Sequence, residues 1–387
     1  MLAHAPPLPL IIDHTAILFG MNTDTAEAER RTLLALKHRD RVRRIRVRVY
    51  DPPSMSIIEA IGEVFPLLEY LHISLNTSLS LPSTLRAPHL RHLVLFNIAF
   101  PIGSPLLAGL VTLSLDYVNL FANFGPNEFL QQLSLMPHLE TFRINFSSFF
   151  STQDVQGELL QIPLSTHVAL PKLRWFGFGG PSAYMDAVLP RITMPLLRVT
   201  EIMPRTSNLL DVTSSILSTL ESMRKTENPG LCSVKVIFYH THIAVVMYPH
   251  QRTGMPTFLF QPFYLGHDGM LDFTVQMFDG IRTVLSEVET LTLEDRAWVS
   301  YKRFALQTGW RELLMSFNQV RTLHVSGTDL IKGLSHSLRP RDGESAIELL
   351  PMLRVLSCTE GSHVVKSFKS FLAARRNAGF PVTIIHW

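Results

Sequence analysis

Cysteine is nearly absent: Cys232 and Cys358 are the only two in 387 residues. Two thiols cannot build a disulfide framework, and their scarcity predicts a reducing compartment, cytoplasmic or nuclear. Long apolar runs are missing too. No stretch approaches the ~18 uninterrupted apolar residues of a membrane span. The start, Met1-Leu2-Ala3-His4-Ala5-Pro6-Pro7, has no basic n-region, and Asp13 interrupts the apolar run after Pro9, so no secretory leader is expected. Charged residues are few, at 17%, and 35 Lys+Arg against 32 Asp+Glu leave a formal charge of +3. That is too small for the global field of a nucleic-acid-binding protein. The G-x-S-x-G, H-E-x-x-H and P-loop signatures are absent, so no catalytic residue, cofactor or metal is expected. Apolar residues, by contrast, are plentiful: hydrophobic side chains are 46% of the chain, enough for a large core in two or three domains or in one elongated repeat domain.

A nine-residue phrase recurs along the chain. Phe65-Pro66-Leu67-Leu68-Glu69-Tyr70-Leu71-His72-Ile73 returns as Ala87-Pro88-His89-Leu90-Arg91-His92-Leu93-Val94-Leu95 and as Met136-Pro137-His138-Leu139-Glu140-Thr141-Phe142-Arg143-Ile144. It appears again as Leu170-Pro171-Lys172-Leu173-Arg174-Trp175-Phe176-Gly177-Phe178 and as Leu350-Pro351-Met352-Leu353-Arg354-Val355-Leu356-Ser357-Cys358. The shared core is L-x-x-L-x-L with a proline two residues ahead. Looser copies begin at Val42, Leu110, Leu197, Val288 and Val320. Of the 30 apolar slots in these ten copies, 29 hold V, I, L, F or C and one holds Thr200; composition alone would fill about 14. The copies stand 20 to 34 residues apart except for one gap of 91, where Val234-Lys235-Val236-Ile237 reads as a degenerate copy.

The last two apolar positions are two residues apart, the period of a strand with one buried face. Segments of helical period lie between phrases. Residues 54–65 place Ile57, Ile58, Ile61 and Val64 on one face, with Ser56 and Glu59 spaced as a capping box. Residues 209–223 do the same with Ile216, Leu217, Leu220 and Met223. Residues 363–376 align Val364, Phe368, Phe371 and Leu372, with Arg375 and Arg376 in the last turn and Gly379 beyond it. Each phrase proline is expected to end the preceding helix. A strand, a return on one side and another strand make a right-handed parallel coil. Units this short bury their ridge only by stacking. The sequence therefore predicts an α/β leucine-rich-repeat solenoid over residues 31–387, a right-handed arc with parallel strands on the concave face and irregular helices on the convex face. Residues 1–30 read as an N-terminal lead-in with one strand-like piece, Leu8 to Ile12. Residues 240–282, with short apolar runs at Ile243–Tyr248, Phe258–Phe260 and Leu271–Val275 separated by turn-rich segments, read as a β-hairpin insertion.

With these residues in view, the chain resembles the C-terminal leucine-rich-repeat part of the F-box-like proteins abundant in mushroom-forming fungi. The likeness runs over residues 8–387. It rests on Leu8-Pro9-Leu10-Ile11-Ile12-Asp13, on residues 35–45 (ALKHRDRVRRI), on the Pro-x-Leu phrases, on Gly180-Pro181-Ser182-Ala183-Tyr184-Met185-Asp186, and on residues 373–382 (AARRNAGFPV). The resemblance implies a protein target held on the repeat surface and presented to a cullin–RING ubiquitin ligase through an N-terminal F-box. The F-box pattern expected ahead of Leu8–Asp13 is not found. The ligase adaptor is therefore an expected partner only where an F-box is supplied.

Several constellations are candidate sites. Arg39, Arg41, Arg43, Arg44, Arg46 and Arg48 form the densest basic run, and Arg44, Arg46 and Arg48 would face one way on a strand. They suit a phosphate ligand (RNA or phospholipid) or an acidic peptide, or else a charged edge strand that blocks aggregation. Gly177-Phe178-Gly179-Gly180-Pro181-Ser182 departs from a dinucleotide loop at Ser182 and reads as a strand-to-helix turn with Pro181 at the first helical position. His240, His242 and His250 lack a fourth metal ligand and read as surface histidines, while Cys232 and Cys358 read as core residues. The broadest candidate is the concave face itself: Tyr70, His72, His92, Val94, Thr141, Arg143, Trp175, Thr290, Thr292, Thr322, His324, Val355 and Ser357. Tyr70, Trp175 and Arg143 are the types that dominate interfaces. The expected ligand is a protein on that face. No membrane partner is expected, and nucleic acid is the disfavoured alternative.

Overall fold

A computed structural model of the chain describes residues 8–16, 25–49, 55–100, 103–118, 125–146, 166–205, 231–239, 242–249, 256–261, 270–296, 309–341, 343–345, 347–359 and 363–386. The chain is α/β, its strands mostly parallel, and it divides into two compact units, Met1–Leu197 and Arg198–Trp387.

The phrase becomes a turn followed by a strand. In Phe65-Pro66-Leu67-Leu68 the Leu68 N–H donates to the Phe65 carbonyl at 3.3 Å; Leu90 donates to Ala87 at 3.0 Å, Leu139 to Met136 at 3.2 Å, Leu173 to Leu170 at 3.2 Å and Leu353 to Leu350 at 3.0 Å. Proline suits the second position of such a turn, because its fixed φ fits there and no N–H is needed. Its role is thus more specific than ending a helix: it closes the turn that delivers the first apolar slot.

In the first unit, β1 (Leu10–Ala16), β2 (Val42–Val49), β3 (Tyr70–Ser80), β4 (His92–Ala99), β5 (Thr112–Val118), β6 (Thr141–Phe146) and β8 (Trp175–Pro181) lie side by side in that order, every neighbouring pair parallel. A separate parallel pair joins β7 (Val168–Ala169) to β9 (Ile192–Thr193). Register is pinned ahead of β4, β5, β6 and β8 by a forked bond. The N–H groups of Arg91 and His92 both reach the Glu69 carbonyl at 2.9 and 3.0 Å, those of Val111 and Thr112 the Arg91 carbonyl at 2.8 and 2.9 Å, and those of Arg174 and Trp175 the Glu140 carbonyl at 2.8 and 3.1 Å. Equivalent slots therefore stack: Leu71, Leu93, Leu113, Phe142 and Phe176 follow one another across the sheet.

The second unit holds β10 (Val199–Arg205), β11 (Leu231–Phe238), β12 (Ile243–Pro249), β13 (Phe258–Phe260), β14 (Thr290–Asp295), β15 (Thr322–Ser326), β16 (Val355–Cys358) and β17 (Thr383–His386). Their order is β10-β13-β12-β11-β14-β15-β16-β17. Here, in the stretch read from sequence as a β-hairpin insertion, the strands are not all parallel. β12 runs antiparallel to both β11 and β13, while β13 is parallel to β10 and β11 to β14. The degenerate copy at Val234–Ile237 lies in β11. Leu271 and Val275, read from sequence as part of the inserted hairpin, stand instead on the helix Met270–Gly280.

All ten phrases run into a sheet strand, and all thirty slots, Thr200 included, are 0–2% exposed. The periodicity therefore located the core. Other expectations need correction. The lead-in is not loose throughout: β1 pairs with β2 over seven residues, and a helix Thr25–Leu36 follows it. The helix Met55–Ile61 buries Ile57, Ile58 and Ile61, but Val64 is exposed and makes an isolated bridge with Arg86. Ser56 is the second helical residue, so it cannot cap that helix. Pro181 is the cap of the helix Ser182–Val188 rather than its first residue. The helix read at residues 209–223 lies outside the described residues. Among those described, no helix is long and apolar enough to cross a membrane.

The helix His363–Asn377 buries Phe368 and Phe371 and ends as its sequence indicates. Gly379 adopts φ +83°, its N–H donates to the Arg376 carbonyl at 3.1 Å, and the Phe380 N–H donates to the Arg375 carbonyl at 2.9 Å. These are the paired bonds of a glycine-terminated helix. Arg375, however, is no surface cation balancing the helix dipole. It is 0% exposed, and its guanidinium donates to the carbonyls of Leu350 (3.4 Å), Pro351 (3.3 Å) and Leu353 (2.9 Å). The last helix is thereby fastened to the last phrase turn.

Two stability predictions follow from the packing. Leu93→Ala, in a fully buried slot, is expected to lower stability by about 2–5 kcal/mol, whereas Val94→Ala beside it changes it by less than about 1 kcal/mol. Arg375→Leu removes the guanidinium from three carbonyls, of which Leu350 keeps the Leu353 N–H, and is expected to lose about 1–3 kcal/mol. Urea unfolding of each variant measures both.

Candidate interaction surface

The in-register stacking that buries the apolar slots also aligns the residues between them. In the first unit one cross-strand row reads Arg44, Tyr70, His92, Thr112, Thr141, Trp175; the next reads Asp13, Arg46, His72, Val94, Ser114, Arg143, Gly177; a third reads Thr15, Arg48, Ser74, Phe96, Asp116, Asn145, Gly179. Tyr70, His72, His92, Val94, Thr141, Arg143 and Trp175 are all half-buried on this outward face.

The predicted site residues fall into two groups. Arg44, Arg46, Arg48, Tyr70, His72 and His92 come together on β2, β3 and β4. The Arg44 guanidinium carbon stands 4.2 Å from the centre of the Tyr70 ring, a cation–π arrangement. The Tyr70 Oη lies 3.5 Å from His72 Nδ1, the Tyr70 and His92 rings are 6.2 Å apart, and His92 Nδ1 is 3.1 Å from Thr112 Oγ1. Arg46 stands 3.5 Å from Asp13. Arg143 and Trp175 form the second group, beyond β5. A Cβ on Gly177 would fall 3.0 Å from Arg143 Cγ and 3.1 Å from Trp175 Cη2, so both side chains close over that glycine. Arg143 is 3.6 Å from Asp116, which also accepts from Ser114 Oγ at 3.2 Å.

The basic run does not act as one track. Arg39 pairs with Glu63 at 2.9 Å, Arg43 at the start of β2 approaches Glu69 at 3.7 Å, and Arg41 donates to the Leu8 carbonyl at 3.2 Å. Only Arg44, Arg46 and Arg48 face outward. Nor is β2 a protective edge, because β1 flanks it. Asp13 on β1 was missed because no phrase marks that strand. Asp116, Asn145 and Phe96 were reachable from sequence by carrying the period-2 alternation one step further along each strand.

In the second unit the outward rows hold Ser233, Thr290, Thr322, Val355 and Thr383, and next to them Lys235, Thr292, His324, Ser357 and Ile385. Ser357, expected to project outward, is only 2% exposed. Lys235 Nζ bridges Glu294 Oε2 at 2.8 Å, and burial lowers the pKa of His324. His242 stacks on Tyr239 with ring centres 4.4 Å apart; His240 and His250 lie outside the described residues. Among the described residues no group of three or more His, Cys, Asp or Glu side chains is placed to hold a metal ion. Cys358 fills a buried slot, and the half-buried Cys232 donates from Sγ to the Pro249 carbonyl at 3.1 Å.

His72 reports the local field. Its pKa is pushed down to about 4, first by burial and then by the positive charges of Arg48, Arg46 and Arg44, against the pull of Asp13. It is therefore neutral at physiological pH. The chain matches no protein-family model and no curated protein.

Since the His72 pKa lies below the ordinary 6.5, the unfolded chain takes up the proton more readily. This group's effect is to lower stability progressively as pH falls from 6.5 to about 4 and to leave it unchanged above 6.5. Imidazole titration by NMR is expected to give a His72 midpoint near 4. Arg48→Ala should raise that midpoint but leave it under 6.5, because burial is the larger cause; a wild-type midpoint at or above 6.5 contradicts this description.

Proposed function

We propose that the chain is a non-enzymatic leucine-rich-repeat protein that binds another protein. In this reading the strands line the concave face of a right-handed solenoid, helices and loops form its convex side, and the partner lies across the outward rows. One observation carries the reading. Ten phrases bury the same three slots, and in the first unit six of them leave the intervening positions in continuous cross-strand rows that hold Tyr70, Trp175 and Arg143, the types that anchor interfaces. The likeness to the repeat part of fungal F-box-like proteins points the same way. By that resemblance the bound protein is a target for ubiquitination, and delivery to a ligase adaptor requires an F-box on the same polypeptide or an associated one.

A long anionic ligand such as RNA or a phospholipid surface fits less well. The pairing of Arg39 with Glu63 and Arg43 with Glu69 leaves three outward arginines confined to one strand, whereas a nucleic-acid track needs many phosphate contacts.

A photo-crosslinking residue at Thr141, on the outward face of β6, is expected to trap a protein partner in a lysate. The same residue at the exposed turn position His138 is expected not to. Trapping at His138 alone, or at neither position, contradicts the reading.

A further inference from the structure

We propose that the outward face of β2–β4 reads a phosphorylated segment of the partner: one phosphoserine or phosphothreonine seated on Arg46, Arg48 and His72, with an apolar side chain about three residues away against Val94 and Phe96. This rests on the protein-binding reading and adds the chemistry of what is bound.

Charge gives the first argument. Among the outward rows of β1–β4 the charged side chains are Arg44, Arg46, Arg48 and Asp13. Three guanidinium groups against one carboxylate leave two positive charges, which match the charge of about −1.5 to −2 on a phosphorylated side chain at neutral pH. Arg44 is taken up by the Tyr70 ring at 4.2 Å and Arg46 by Asp13 at 3.5 Å. No carboxylate among the described residues pairs with Arg48, and no acid lies beside it on β3 or β4. Guanidinium forks on alternate residues of one strand, about 6.6 Å apart, can grip the oxygens of one phosphate from two sides. His72, next to Arg46 in register, is neutral and sits in a positive field, so it can donate to a phosphate without competing for it.

Extent gives the second argument. The positive charge is confined to β2, and β3 presents Tyr70, His72 and Ser74. The next outward residues are Val94 and Phe96 on β4, and then Ser114 and Asp116 on β5. The Phe96 ring lies 4.6 Å from that of Tyr117, which is 40% exposed. The patch therefore runs from cationic to apolar to acidic across four strands. One phosphate fits, and a second, two strands further on, would meet Asp116. From β2 to β4 is two strand spacings, about 10 Å, or roughly three residues of an extended peptide lying across the sheet. Hence the spacing between phosphate and apolar anchor.

The test uses the full chain, immobilised and incubated with an oriented peptide library fixed on phosphothreonine with degenerate flanks, beside the same library unphosphorylated. Recovered peptides are then measured by fluorescence anisotropy. Phosphorylated peptides are expected to bind at least about tenfold more tightly than their unphosphorylated forms, with apolar residues enriched three positions from the phosphate. Arg48→Ala, with its folded circular-dichroism spectrum intact, is expected to lose about tenfold for the phosphopeptide. Val94→Asp should abolish the apolar preference while phosphate discrimination persists. On binding, the His72 midpoint should rise. Equal retention of both libraries, undiminished binding by folded Arg48→Ala, or binding of polyuridylate or phosphoinositide vesicles in place of peptides overturns the proposal. If that happens while crosslinking at Thr141 persists, the phosphate reading alone falls; loss of both removes the protein-binding reading as well.

Discussion

Parallel pairing governs this molecule. A strand cannot meet a parallel neighbour through a tight turn, so the chain must cross over and arrive again at the correct position and height. Side chains alternate with a period of two, so arriving one residue out would turn every buried slot to solvent. Two devices in the phrase prevent that. The Pro-containing turn fixes how the chain enters the strand, and the forked bonds from Arg91 and His92 to Glu69, repeated strand after strand, fix its height against the preceding one. With register held this way, thirty slots stay buried and the residues between them fall into rows. Both the core and the outward surface follow from one constraint.

Much of the core was legible because its signal is purely periodic. Leucine two positions after a phrase proline, and apolar residues three and five beyond that leucine, meet only one demand, burial, and satisfy it at Thr200 as well as at Leu93. What the sequence concealed depends on neighbours that no local pattern names. β1 carries no phrase, so neither its place outside β2 nor the approach of Asp13 to Arg46 could be read. Arg375 looked like any basic residue at a helix end; only tertiary structure shows its guanidinium turned inward onto the Leu350–Leu353 turn. Val64 had the right spacing for the helix Met55–Ile61 but lies past its end.

The surface was half legible. Alternation assigns its residues to one face, but their grouping depends on the width of the sheet. Strand β5 separates the Arg44–Tyr70–His92 cluster from the Arg143–Trp175 pair, and Asp116 gives the second group a charge balance of its own. Splitting the Arg39–Arg48 run between ion pairing and the outward face changes its meaning, because three guanidinium groups beside a neutral histidine and an apolar strip suit a compact anion attached to a peptide better than a long polyanion. Neighbouring strands thus carry different chemistry on a uniform frame.

The frame itself is tested most directly by cysteine cross-linking between β3 and β4, in a chain with Cys232 replaced by serine. His72→Cys combined with Val94→Cys places two thiols side by side on the outward face in the described register, and rapid disulfide formation under mild oxidation is expected. His72→Cys combined with Leu93→Cys puts the thiols on opposite faces and should not cross-link. Preferential cross-linking of the second pair, or of neither, would show that the phrases do not stack as described, and the aligned rows would lose their basis.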